Sequence, residues 1–314
     1  MIPEQYFPLA SEQFGMTMGT RPMEPHSPLI HIDVDCIKSE LELKRTAVDR
    51  NHDEYCLFAP GTIDAQWEAL DLILSDLTKF NPSWFSVEKH GREISWRNEL
   101  SGSACHFERG AVESLPVQPL EWIGLQIQED LCLLDSAVAG IPLVGGLVCF
   151  PGDWRIGDKL NRSFVDVHGP VPLFDRIARP STNLIERLKP GRPVWRPNWG
   201  GVKPTAQLDL TPQHSAWVNE RKTLLTAENI GRELYFRVER QTLSPLTLSN
   251  HVLFTIHTYV ARMEDIASNR TWARNTLGWL TTAPPEWITY KGLNMYFELL
   301  TAYLTSRITN GPEI

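Results

Sequence analysis

Two stretches in the last third of the chain alternate in the way that the side chains of a β-strand do. ELYFRVERQTL covers residues 233–243, HVLFTIHTYV covers residues 251–260, and only SPLTLSN lies between them. A link this short joins antiparallel neighbours. Helical and strand patterns are intermixed elsewhere without a regular β-α-β order. The sequence therefore predicts an α+β fold in which helices cover an antiparallel sheet.

One face of the first strand is apolar but carries a cation, Arg240. The rest of that face comprises Leu234, Phe236, Val238 and Thr242. A buried guanidinium costs on the order of several kcal/mol unless it is paired, so we expect Arg240 to meet a carboxylate or a bound anionic group. Tyr259 or His257 of the second strand could add a donor. The alternative is structural: Arg237 and Glu239 would form a solvent-exposed ion pair worth about 0–1 kcal/mol.

Apolar residues at helical spacing predict helices over residues 36–50, 64–80, 119–137, 173–188 and most of the last 50 residues. The acidic pair Glu129–Asp130 would then lie on a solvated helix edge. We also expect a hairpin turning at Gly91 within residues 84–96. The remaining predictions are a buried strand at residues 143–151, whose two glycines permit the close approach of another backbone, and a loop or short strand at residues 190–204.

The first 30 residues hold five prolines and little periodicity. They predict an extended N-terminal arm over residues 1–30, followed by a single domain over residues 31–314.

Charge, cysteines and missing motifs exclude several classes of function. The net charge is −8, whereas nucleic acid and anionic membranes require clustered Lys and Arg. The five cysteines form no C-x-x-C pair, which disfavours a zinc ribbon or an iron–sulfur cluster. P-loop, dinucleotide-binding, nucleophile-elbow and H-E-x-x-H motifs are missing. With no signal-peptide pattern and no apolar run of about 18 residues, we expect a cytoplasmic protein without a membrane span.

RSFVDVHGPVPLF, residues 162–174, places one histidine, His168, where a strand-like run stops at Gly169 and two prolines. One interpretation is a buried histidine that caps a turn. The other is a neutral imidazole held rigidly to bind a ligand, with Asp166 as a hydrogen-bonding partner.

Six short blocks of sequence occur in the order of a known family. They are EDLCLL (129–134), VCFPGDWRIGDKLN (148–161), VDVHGPVP (165–172), RPNW (196–199), RVERQTL (237–243) and LFTIHTY (253–259). On these blocks the chain resembles the alpha subunit of heme-dependent oxidative N-demethylase. Each block is short, and it is their ordered sum over residues 20–300 that makes the resemblance specific.

The resemblance implies a PAS-like antiparallel sheet covered by helices, with helical N- and C-terminal additions, that carries a b-type heme. Such proteins use heme and dioxygen to oxidise a small secondary amine, such as dimethylamine, to an imine that hydrolyses to an amine and formaldehyde. Electrons would come from NADPH through a separate reductase that holds flavin and a 2Fe–2S centre. The chain has no cysteine cluster that could hold an iron–sulfur centre. This fits a system in which the reductase holds the flavin and the 2Fe–2S centre and this chain would hold only the heme.

The resemblance also implies roles for individual residues. His168 would be the axial ligand of the heme iron, with His257 and His251 as the alternatives. The residues expected to hydrogen-bond to bound oxygen and stabilise its charge are Arg240 and Tyr259, with Glu239 and Arg237 as helpers. The residues expected to bind the heme propionates or pack on the macrocycle are Arg196, Asn198 and Trp199.

A second hypothesis belongs to another class of function. PAS domains also serve as sensors that bind heme or another small ligand without turnover, and a shared fold does not fix a function. Sensors usually carry an output module, and we expect none here, which favours an enzyme.

Overall fold

The computed structural model describes residues 2–310, so residue 1 of the expected arm and residues 311–314 of the expected domain lie outside the described residues. Within this range the protein is α+β. The strands are β1 (Arg21–Pro22), β2 (Cys56–Phe58), β3 (Phe85–His90), β4 (Glu93–Asn98), β5 (Ser103–Glu108), β6 (Asp130–Asp135), β7 (Leu143–Leu147), β8 (Val194–Lys203), β9 (Tyr235–Leu246) and β10 (His251–Arg262). They form a seven-stranded antiparallel sheet in the order β1-β8-β9-β10-β6-β7-β2 and a three-stranded sheet in the order β3-β4-β5.

Helices flank the large sheet and complete the predicted α+β fold. They are α1 (Ile37–Arg50), α2 (His52–Tyr55), α3 (Ile63–Phe80), α4 (Pro119–Gly124), α5 (Phe164–Val167), α6 (Asp175–Glu186), α7 (Ser215–Lys222), α8 (Ile230–Glu233), α9 (Met263–Ser268), α10 (Arg270–Thr282), α11 (Pro285–Tyr290) and α12 (Phe297–Asn310). None of these helices is long and apolar enough to cross a membrane. The predictions over residues 36–50, 64–80, 173–188 and the C-terminal region are confirmed.

The hairpin of β9 and β10 forms the centre of the large sheet, as the sequence predicts. The two strands pair in continuous register from Tyr235 opposite Arg262 to Leu246 opposite His251. β8 covers the other side of β9, and β6 covers the other side of β10. Because β9 and β10 are interior strands, the direction of each side chain on them is fixed by the alternation of the strand.

The predicted helix over residues 119–137 is wrong in its second half. The helix α4 ends at Gly124, and β6 begins at Asp130 between β10 and β7. The run LCLL is compatible with a helix because a strand that is buried on both faces is apolar throughout. Such a strand lacks the alternation with a period of two that would identify it. The pair Glu129–Asp130 is fully buried rather than solvated. Asp130 accepts the backbone N–H groups of Cys149 and Phe150 and forms a buried ion pair with Lys44.

The region 190–204, predicted as a loop or short strand, contains the ten-residue strand β8. Its Pro197 can be accommodated because β1 pairs only with Val194 and Trp195, which leaves the rest of β8 as a sheet edge. A register shift lies between Trp199 and Gly201. Strand formation therefore overrides the proline and glycine content here because β9 offers a long pairing partner.

Two glycines of β7 allow the strands beside it to approach closely. A Cβ atom on Gly146 would lie 2.3 Å from the carbonyl oxygen of Leu131, and one on Gly145 would lie 2.4 Å from a ring atom of Phe58. Both distances are far below van der Waals contact. The expectation that these glycines permit a close backbone approach is confirmed.

We expect Gly146→Ala to lower the free energy of unfolding by about 1–3 kcal/mol or more, because the added methyl group must displace backbone atoms of β6. Gly152→Ala is the matched control, since no atom lies within 4 Å of the added Cβ there. Urea unfolding followed by circular dichroism measures both variants. Equal midpoints for the two variants would contradict the packing described for β7.

Candidate functional site

The two faces of the β8–β9–β10 region carry different sets of polar side chains. We call one the cleft face, because it looks towards residues 154–185, and the other the arm face, because residues 2–9 and 28–33 cover it. The cleft face carries Arg196, Asn198, Arg237, Glu239, Gln241 and Thr258; the arm face carries Trp199, Arg240, His257 and Tyr259. Strand alternation separates the two sets, and the sheet itself lies between them.

His168 lies on the cleft side, immediately after the short helix α5. Its ring stacks on Phe174 with centroids 4.5 Å apart and an interplanar angle of 8°. Nδ1 lies 2.7 Å from the carbonyl oxygen of Phe164. Because a carbonyl can only accept, Nδ1 carries the proton and donates it, which leaves the lone pair on Nε2. Burial lowers the pKa of His168 to about 4, so the imidazole is neutral near pH 7.

Asp166 does not orient this imidazole as the sequence suggested. Its carboxylate instead accepts a hydrogen bond from the Ser163 hydroxyl at 2.6 Å, and the Ser163 oxygen accepts the Asp166 backbone N–H. This exchange caps the start of α5. The backbone carbonyl of Phe164 takes the role that was predicted for Asp166.

A continuous hydrogen-bonded row crosses β8 and β9 on the cleft face. Arg196 donates to Gln241 Oε1 at 2.8 Å and to Asn198 Oδ1 at 3.0 Å. Asn198 and Gln241 both donate to Glu239 Oε2, at 2.9 and 2.7 Å. Among the described residues, Glu239 Oε1 forms no hydrogen bond and no cation lies within ion-pair distance of the carboxylate. The row therefore presents one free carboxylate oxygen to the cleft.

Three cations frame the cleft around this carboxylate. Burial lowers the pKa of Lys159, Arg196 and Lys291, the last to about 8, and in each case the Glu239 charge partly opposes the shift. Lys159 lies 3.9 Å above the ring of Trp154. All three side chains are half-buried, so they lie around Glu239 on the cleft face rather than project into open solvent. The three cations suit an anionic ligand beside the Glu239 carboxylate.

Lys291 reaches the cleft from the end of α11. It donates to the carbonyl oxygen of Trp199 at 2.7 Å and lies 5.5–5.6 Å from the ring centroids of Trp199, Trp287 and Tyr290. These aromatic faces stabilise the ammonium group where water is scarce. The Trp199 ring itself stacks on Phe236 and is 5% exposed, so it packs in the core behind the cleft.

Arg237 is fully buried, and the expected exposed ion pair with Glu239 is wrong. Its guanidinium donates to the carbonyl oxygens of Gln207, Leu208 and Phe150 at 3.1–3.3 Å. Burial lowers its pKa. The expectation failed because the irregular segment around residues 207–208 covers this end of β9, which alternation alone does not reveal.

Arg240 lies on the arm face, where the predicted carboxylate or anion is replaced by backbone. Its guanidinium donates to the carbonyl oxygens of Pro28 and Leu29 at 2.5 and 2.8 Å, and it lies 5.7 Å from the ring centroid of Tyr6. These contacts hold the N-terminal residues on the sheet. The five N–H donors of arginine make such a multiple carbonyl contact possible.

Tyr259 and His257 belong to the same arm-face cluster. The hydroxyl of Tyr259 lies 2.8 Å from Nδ1 of His31, and Nδ1 of His257 lies 3.2 Å from Glu129 Oε1. The Glu129 carboxylate also accepts the backbone N–H of His31. Burial, followed by the charge of His257, lowers the pKa of His31 to about 4, so His31 is neutral and shares a hydrogen bond with the Tyr259 hydroxyl. The cluster anchors residues 28–33.

The structure thus brings together only part of the predicted set. His168, Arg196, Asn198 and Glu239 face one cleft, whereas Arg240, Tyr259 and Trp199 lie across the sheet and Arg237 is engaged by backbone. Of the alternative ligands, His257 is 2% exposed within the arm-face cluster, and His251 donates to Ser249 beside the β9–β10 turn.

Sequence reasoning missed four cleft residues: Lys159, Gln241, Thr258 and Lys291. Gln241 could have been found, because it shares a face of β9 with Glu239. The buried Thr258 hydroxyl, which has no hydrogen-bond partner within residues 2–310, lies beside Glu239 on the neighbouring strand. Lys159 and Lys291 come from distant parts of the chain, and no local pattern marks them.

The comparison with known families agrees with the six sequence blocks. The sequence model of the family described as "Haem-dependent oxidative N-demethylase, alpha subunit-like" matches residues 19–301, which span the cleft, the arm-face cluster and both sheets. The chain therefore belongs to the haem-dependent oxidative N-demethylase, alpha subunit-like family.

Proposed function

We propose that this protein binds a b-type heme in the cleft, with His168 as its axial ligand, and oxidises a small secondary amine such as dimethylamine. Dioxygen would be the oxidant, and the electrons would come from a separate reductase that carries NADPH, flavin and 2Fe–2S sites. The observation that carries the proposal is the neutral His168 imidazole, whose Nδ1–H is fixed on a backbone carbonyl across the cleft from the Arg196 row. The sheet with its helices would be PAS-like.

The donor set of the cleft fits a heme. An axial imidazole must be neutral, with one nitrogen free and the other held by an acceptor, and His168 meets all three requirements. Arg196, Lys159 and Lys291 could hold the two carboxylates of a heme, with Asn198 as a polar neighbour of Arg196. Bound there, the heme would supply the dioxygen activation and electron transfer that amine oxidation requires.

Glu239 supports the assignment of an amine as the substrate. A secondary amine is a cation near pH 7, and Glu239 Oε1 is the free oxygen of a carboxylate that Asn198 and Gln241 fix in place. It would bind the ammonium group, orient it and accept its proton, which exposes the nitrogen lone pair for oxidation.

The second candidate is a heme-binding protein without turnover. Both candidates require heme in the cleft, but only the enzyme requires the Glu239 carboxylate to meet an amine. The free Oε1 of Glu239, on a carboxylate that Asn198 and Gln241 fix through Oε2, is the observation that favours the enzyme.

We expect the heme-loaded protein, supplied with NADPH and a competent flavin and iron–sulfur reductase, to release formaldehyde from dimethylamine. Formaldehyde and oxygen consumption measure the reaction. Heme binding without formaldehyde release from any small secondary amine tested would favour the binding protein, and a failure to bind heme would refute both candidates.

We expect His168→Ala to lose or strongly shift the Soret band of the bound heme, because the iron would lack its imidazole. His251→Ala is the matched control, since its Nδ1 is engaged with the Ser249 carbonyl near the β9–β10 turn. Absorption spectra of the oxidised and reduced proteins make the comparison. An unchanged spectrum in His168→Ala would exclude this ligand.

We expect Glu239→Gln to lower kcat/KM for dimethylamine about 10- to 100-fold while the heme spectrum is retained, because hydrogen bonds to charged groups contribute about 1.5–3 kcal/mol. The control is Glu286→Gln, whose side chain is exposed on α11. Steady-state formaldehyde release gives the values. If Glu239→Gln keeps the kinetics of the wild type, the carboxylate does not bind the substrate.

A further inference from the structure

A second cluster of potential ligands lies away from the cleft, at the β2 edge of the large sheet. His52 opens α2, Cys56 begins β2 one helical turn later, and Glu121 lies on α4. The nearest ligand atoms of these three side chains all lie within 4.8 Å of one another. His52 Nε2 and Glu121 Oε1 are 2.9 Å apart. Imidazole, thiol and carboxylate groups thus lie close enough to share one ion.

The surroundings of the cluster resemble those of a metal site. Cys56 is 1% exposed and Glu121 is 4% exposed, whereas the His52 side chain is half exposed. The other ring nitrogen of His52 lies 3.3 Å from the Asp53 carboxylate. A carboxylate behind a histidine is the usual outer partner of a metal-bound imidazole, since it fixes the ring and its tautomer. Among the described residues, His52 is the hydrogen-bond partner of the buried Glu121 carboxylate.

We propose that His52, Cys56 and Glu121 bind a zinc ion. Zinc takes nitrogen, sulfur and oxygen ligands at about 2.0–2.3 Å, which places tetrahedral ligand atoms roughly 3.5 Å apart. The ligand atoms of the three side chains are 2.9 Å to at most 4.8 Å apart, so small rotations of the side chains would bring them to this spacing. The exposed side of His52 leaves the fourth position open to water.

The zinc site is independent of the proposed function. β2 lies four strand intervals from β9, roughly 19 Å across the sheet. β2 is an edge strand of three residues that pairs only with β7 within the described chain. A cation bound here would join this edge to α4, so its removal would loosen that edge and leave the cleft unchanged.

The full-length, tag-free protein, treated with a chelator and then titrated with Zn²⁺ against a chromophoric competitor, tests the proposal. We expect one tight equivalent, and with Co²⁺ in place of Zn²⁺ a near-ultraviolet thiolate charge-transfer band. His52→Ala and Glu121→Gln should each weaken Zn²⁺ binding at least about ten-fold, because mutating even the outer partners of metal ligands typically lowers metal affinity by that factor. Cys56→Ser should abolish the Co²⁺ band. The matched controls His90→Ala and Cys105→Ser, both in the three-stranded sheet, should bind as the wild type does.

Three results would overturn the proposal. Absence of saturable Zn²⁺ binding, or binding that His52→Ala does not affect, would reduce the trio to an ion pair of His52 and Glu121. A Co²⁺ band that survives Cys56→Ser but is lost in Cys149→Ser would assign the thiolate to the neighbouring buried cysteine. His52→Ala keeps the test decisive if the buried variants fail to fold, because that side chain is half exposed. The heme spectrum, measured in parallel, distinguishes this failure from that of the proposed function.

Discussion

The burial of both faces of β9 is the constraint on which the rest of the structure depends. Arg237 and Arg240 are three residues apart, so they point to opposite faces, and both are fully buried. Each ends on backbone carbonyl oxygens of an irregular segment rather than on a carboxylate. The carbonyls accept from the terminal N–H groups, Nε of Arg237 has no hydrogen-bond partner among the described residues, and neither guanidinium forms a direct ion pair in this part of the chain, so their burial costs desolvation free energy. Each of the two rigid guanidinium groups holds one segment without regular structure in place on the sheet.

This arrangement determines which polar groups of β9 remain for chemistry. With Arg237 and Arg240 engaged by backbone, the half-buried polar residues in the middle of the strand are Glu239 and Gln241. Both point to the cleft face, where β8 supplies Arg196 and Asn198 in register. The arm face is filled by its own cluster around Glu129 and is closed. Strand parity therefore decides which side chains of β9 lie on the arm face and which lie on the cleft face, where the proposed ligand site is.

The sequence predicted the parts that depend on local pattern. The β9–β10 hairpin, most helices and the close approach at Gly146 follow from alternation, helical spacing and turn chemistry. The helix predicted over residues 119–137 failed because an apolar run buried on both sides has no period that distinguishes a strand from a helix. The prediction that Arg240 and His168 share one site failed because residues 28–29 cover Arg240 on the face opposite His168, and no local pattern shows this. Lys291 enters the cleft only through tertiary packing.

The turn-cap interpretation of His168 and its proposed role as a ligand depend on the same hydrogen bond. At the end of α5 the backbone N–H of His168 bonds to the Val165 carbonyl, which leaves the Phe164 carbonyl without the backbone donor that a longer helix would supply. The imidazole Nδ1–H satisfies that carbonyl. The same bond fixes the tautomer and leaves Nε2 free, so the contact that caps the helix also meets the requirement of the proposed ligand role. A longer helix at this point would remove both properties together, which is why a four-residue helix that stops before Gly169 and Pro170 suits a ligand site.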